Sequence, residues 1–195
     1  MGYHGRGRED LLEYRDWKDD MRAIAAELEL SPSMYTDTVT RMYEMYDYSS
    51  KNGKTYCNFA VADVAYELNV YYPMYERTHY YTADAFYDWL TDKRAIEHGW
   101  QEVDLLKARI AANEGLFTVA VYHSDPDNDD DKDSKGNLHG HMQMVVPHSA
   151  VDEAFAQAGK LVYTNGELMN RPIDKIRLYI CTNYDWHYSR TRPSQ

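Results

Sequence analysis

The chain has 195 residues, 44% of them hydrophobic, which suits one globular domain with its own core and is too apolar for a disordered chain. A net charge of −11 argues against duplex nucleic acid as a partner, because neutralising phosphates takes a basic face. No stretch approaches the roughly 18 to 20 apolar residues that span a bilayer, and the first residues lack the apolar centre of a secretory signal peptide.

The spacing of Tyr14, Trp17, Met21, Ile24 and Leu28 predicts a helix from about residue 8 to residue 30. Ser31-Pro32 ends it and opens a second helix running to about Tyr48, with serine as cap and proline in the first turn. Residues Ser49 to Gly53 form a loop by composition. The segment Thr55 to Leu68 is apolar on more than one side, as a central buried helix is. Short helices follow at Ala83–Leu90 and Val103–Asn113, the latter stopped by Gly115. Strands are then expected at Leu116–Tyr122 and Leu138–Val146, joined as a hairpin by an acidic loop. A helix near Val151–Ala158 and strands around Leu161–Tyr163 and Ile176–Cys181 complete the reading. Helices first and strands later make an α+β order.

Two cysteines, Cys57 and Cys181, rule out a disulfide framework as the source of stability. Tyrosine is in excess, 19 against 4 phenylalanines, and suits half-buried positions and groove walls. The acidic loop carries Asp129, Asp131 and Asp133 at alternate positions, a spacing hard cations favour. An EF-hand needs glycine at its sixth position and glutamate at its twelfth, where this loop has Ser134 and Gly140. A solvated hairpin tip is the better reading.

Cys57 falls where a loop becomes a helix. There the dipole and free N–H groups stabilise a thiolate and can receive an oxyanion, although a buried structural cysteine has the same appearance. In a strand, His139, His141, Gln143 and Val145 share one face, and a histidine there can reach a cysteine on a packed helix. The pair His139 and His141 also suits a zinc hydrolase, with His123, His148 or an aspartate as a further ligand. No metal-binding motif of specific spacing supports that alternative.

The segment Thr55-Tyr56-Cys57-Asn58-Phe59-Ala60-Val61-Ala62-Asp63-Val64 resembles the helix start of CHAP and NlpC-like peptidoglycan amidases and endopeptidases. Gly140-His141-Met142-Gln143-Met144-Val145-Val146-Pro147 resembles the strand that supplies their base. The helix Leu105–Asn113, Gly115 and the strand Phe117–Val121 resemble the segment between, so the likeness covers roughly Lys51 to Tyr179.

This resemblance implies a papain-like α+β cysteine hydrolase in one catalytic domain over 1–195, with a helical N-terminal segment at 8–48 and a core at 51–181. It implies that Cys57 is the nucleophile and His141 the base, working without a cofactor or metal. The third, orienting residue is Gln157 by the same likeness, with Glu153 and Asn165 as alternatives. The Cys57 N–H would contribute to the oxyanion hole, helped by Asn52, with Asn58 and Gln143 beside the groove. Gln143 departs from the family pattern, which has a small apolar residue there. The implied substrate is an amide bond of the peptidoglycan stem peptide or of its junction with the sugar, cleaved through a thioester. Without a signal peptide, cytoplasmic synthesis followed by delivery or release is expected, as for a phage lysin or an exported effector with a delivery or immunity partner. A non-catalytic papain-like binding module is the remaining alternative.

Overall fold

The computed structural model describes residues 8–49, 56–75, 79–132, 135–158 and 162–184. Among them the helices are α1 (Arg8–Glu27), α2 (Pro32–Met45), α3 (Cys57–Glu67), α4 (Ala83–Thr91), α5 (Lys93–Glu97) and α6 (Leu105–Glu114). The strands are β1 (Met74–Tyr75), β2 (His79–Tyr80), β3 (Trp100–Val103), β4 (Thr118–Tyr122), β5 (His141–Val145), β6 (Phe155–Gln157), β7 (Tyr163–Gly166) and β8 (Ile176–Cys181). β1 and β2 form a small ribbon, and the other six make one antiparallel sheet in the order β3-β8-β4-β5-β6-β7. The architecture is α+β.

Local signals set most helix ends. Ser31 caps α2 by accepting from the Met34 N–H at 3.2 Å, and Pro32 occupies the first turn. Thr82 and Asp104 cap α4 and α6 in the same way. Gly115 stops α6 at φ 101°, where a side chain is strained, and a Cβ there would lie 2.6 Å from the Ser31 backbone. That close approach seats the α1–α2 corner against the end of α6. Along α1, Met21 and Ala25 pack with Ala111, Leu116 and Ile180, and the Trp17 indole donates to the Lys107 carbonyl at 3.2 Å. The N-terminal helix is therefore docked on the same body as the sheet.

Three expectations need correction. The segment 151–158 is not a helix: a single 3-10 turn at Val151–Glu153 leads into strand β6. Its apolar residues Phe155 and Ala156 satisfy a buried strand as well as a helix, and pairing with β5 decides the matter. The hairpin strand begins at His141 rather than Leu138, and α2 ends at Met45 rather than Tyr48. Strand β3 and the ribbon β1–β2 were not expected at all. β3 is short and carries Gln101 and Glu102 on an edge, so little in its composition marks a strand.

Every residue of β4 is buried, and so are Cys57 and the run Ala60 to Ala65 of α3. Because α3 is buried on several sides, its first turn is enclosed by the protein rather than presented on the surface. This is what positions the site.

Candidate functional site

Cys57 is the first residue of α3 and is 2% exposed. Tyr56 precedes it without a side-chain cap, and the first turn contains no acidic residue. The helix's own sequence thus leaves its positive end unopposed where the thiol sits. Asn58 does not line a cavity with a free amide: its Nδ2 donates to the Tyr81 carbonyl at 3.1 Å. That bond ties the start of α3 to the chain just ahead of α4. Asn52 lies outside the described residues.

His141 opens β5, across the ladder from Tyr122. Gly140 before it is packed so closely that a Cβ would meet Asp84 Oδ1 at 2.1 Å and the Tyr122 carbonyl at 2.7 Å. Asp84, in the first turn of α4, is itself held by the Ser124 N–H and the Ser124 hydroxyl, each at 2.8 Å. Gly140 therefore lets the hairpin approach α4, and this sets where His141 emerges.

The imidazole lies beside Cys57 and Gln157. Burial exerts the largest influence on it and disfavours the proton. The negative charge of the Cys57 thiolate, a hydrogen bond with Cys57 and one with Gln157 outweigh burial, while Arg171 opposes them. The net effect raises the His141 pKa above its ordinary value. The buried Nε2 atom makes no hydrogen bond within ordinary limits of distance and angle. Catalytic hydrogen bonds are often long or poorly aligned before substrate arrives. Tyr43 of α2 stands near the same thiol, and burial followed by the Cys57 charge pushes its hydroxyl pKa up.

Gln157 reaches the histidine because of sheet register. β5 and β6 pair Met144 with Ala156, which sets Gln143 and Gln157 side by side on the face that also carries His141. β6 and β7 pair Gln157 with Tyr163, extending the row to a third strand. Gln143, wholly buried, donates from Nε2 to Gln157 Oε1 at 2.7 Å and to the Glu167 carbonyl at 3.1 Å. Glu153 ends the 3-10 turn and pairs with His148 at 3.2 Å, and Asn165 sits on β7, exposed. Of the three candidates for an orienting group, Gln157 is the one among the influences acting on His141.

The acidic loop is more than a solvated tip. Asp131 is buried, accepts from the Tyr122 hydroxyl at 2.7 Å and from the Asp125 N–H at 2.8 Å, and lies 3.3 Å from Arg171. Asp125 pairs with Lys175 and Asp129 with Lys132. Asp133 and Ser134 lie outside the described residues. His139 stands outside β5 and donates its backbone N–H to the Asp131 carbonyl at 2.8 Å. Among the described residues, no three His, Cys, Asp or Glu side chains gather as a metal site. Cys181 lies buried on β8 across from Trp100, and burial pushes its thiol up to about 12.

Sequence reasoning missed Asp84, Tyr163 and Arg171, and took Asp131 only as one carboxylate of the acidic loop. The Gly-His pair hinted at a tight approach by some neighbour but not which one. Comparison with protein-family models and with curated protein sequences gives no match for this chain.

Proposed function

We propose that the chain is a papain-like cysteine hydrolase that cleaves an amide bond in peptidoglycan. The observation that carries the reading is the meeting of Cys57, at an uncapped helix start, with His141 on the neighbouring strand. The likeness of both segments to the peptidoglycan amidases and endopeptidases supplies the substrate class.

In this mechanism His141 takes the proton of Cys57, and the sulfur attacks the scissile carbonyl carbon, forming a C–S bond. The carbonyl electron pair moves to oxygen, which faces the Cys57 N–H at the start of α3. Collapse breaks the C–N bond, and the leaving amine takes its proton from His141. Water, deprotonated by His141, then attacks the thioester and releases the acid and the thiolate. Gln157, an acceptor beside the imidazole, favours the charged ring formed each time His141 takes a proton.

Digestion of purified peptidoglycan by wild type and by Cys57→Ala tests this, with products read by mass spectrometry. New muropeptides from wild type alone support the reading and identify the bond. Equal products from both remove Cys57 from the mechanism and favour a zinc hydrolase. No product from either sinks the peptidoglycan assignment and favours a binding module or another amide substrate.

A further inference from the structure

Gln143 has a polarity that can be read without ambiguity. The Met169 N–H donates to its Oε1 at 2.6 Å, and a backbone N–H can only donate. Its Nε2 faces the Glu167 carbonyl at 3.1 Å, and a carbonyl can only accept. Two backbone groups of opposite kind thus settle an amide direction that is otherwise a matter of assignment. With Nε2 so placed, the atom of Gln157 that meets it at 2.7 Å must be an acceptor, its Oε1. The Tyr163 hydroxyl stands 3.3 Å from the same Oε1 and donates to the Glu167 carbonyl at 3.0 Å. Gly166 makes room for that tyrosine, since a Cβ there would press into its ring at 2.4 Å.

We infer that Gln143 is a positioning residue: it turns the Gln157 amide so that its oxygen, not its nitrogen, is the end offered toward His141. Direction therefore passes from the backbone at Glu167 and Met169 through Gln143 to Gln157, along a row of side chains across three strands. An oxygen there accepts from the imidazole and favours its protonated form; a nitrogen there would oppose it. The inference rests on the Cys57–His141 reading and adds a residue that acts through Gln157. A merely structural glutamine would anchor the 167–169 segment and leave the imidazole titration alone.

The test follows His141 by NMR titration and Cys57 by its iodoacetamide alkylation rate against pH, neither of which needs a substrate. Gln143→Met removes the polarity at similar volume. Gln143→Asn keeps a polar amide but withdraws it by one methylene from Gln157, so it serves if the methionine variant fails to fold. Each is also made in a Gln157→Glu background, where an oxygen faces His141 whichever way the group turns. The inference expects the His141 midpoint to fall by roughly one pH unit with Gln157 present and to stay put in the Gln157→Glu background. An unmoved midpoint in folded protein, or the same fall in both backgrounds, overturns it. A wild-type Cys57 that alkylates no faster than a free thiol peptide, with His141 titrating as in a peptide, overturns the underlying pair as well.

Discussion

Gly140 and Asp84 are in contact so close that any side chain at residue 140 would overlap the carboxylate, with a Cβ only 2.1 Å from Oδ1. Asp84 cannot swing away without giving up both bonds to Ser124. Gly140→Ala is expected to cost about 1–3 kcal/mol through overpacking, read by urea unfolding, and to displace His141. Asp84→Ala in the same chain should recover only part of the loss, because the Tyr122 carbonyl remains at 2.7 Å. Full additivity of the two changes would show that this contact does not govern the approach.

The two cysteines should differ sharply in reactivity. Cys181 is buried in a strand with its thiol pushed up to about 12, so it stays protonated at neutral pH. Cys57 has a base beside it. Brief alkylation of the folded protein followed by peptide mapping should mark Cys57 and leave Cys181 unmodified. Labelling of Cys181 first would contradict the assignment of roles.

Removing the thiol should reverse the His141 shift. With Cys57 present, its charge and hydrogen bond help to overcome burial and raise the pKa. In Cys57→Ala burial and Arg171 face only Gln157, so the midpoint should fall below the ordinary value near 6.5. The sign carries over to stability. A raised folded pKa contributes stability that is complete below the unfolded value and disappears as pH rises through the folded one. Wild type should therefore lose this contribution as pH climbs past about 6.5, and Cys57→Ala should not. Urea unfolding from pH 5 to 9 compares them, and parallel curves would refute the coupling.

Asp131 is the counter-ion that restrains Arg171. Its carboxylate is buried with three partners, so Asp131→Ala is expected to cost about 3–5 kcal/mol by removing the acceptor of the Tyr122 hydroxyl and the Asp125 N–H and the carboxylate beside Arg171. Arg171 already disfavours the imidazolium. Loss of the Asp131 carboxylate should lower the His141 midpoint further, whereas Arg171→Met should raise it. NMR titration of His141 in both variants checks the pair of opposite shifts.

Much of the chain was legible because its signals are local. Ser31-Pro32, Gly115 and the acidic loop each act within a few residues, so the start of α2, the end of α6 and the pairing of β4 with β5 follow from sequence alone. The candidate pair was legible for the same reason: a cysteine opening an apolar helix and a glycine-histidine opening a strand are short patterns. The segment 151–158 was misread because a few apolar residues fit either a helix or a buried strand, and only the partner strand chooses.

Tertiary structure decided the rest. The last strand, β8, enters between β3 and β4, a pairing across distant segments that no local preference encodes. Gln143 read as a departure at a groove position, yet it is wholly buried and bonded to residues 14, 20 and 24 positions along the chain. Sequence determined which residues carry usable chemistry and where helices and turns begin. The register of six strands determined which of them meet, because a shift of β6 by one residue would put Gln157 on the face opposite Gln143 and His141.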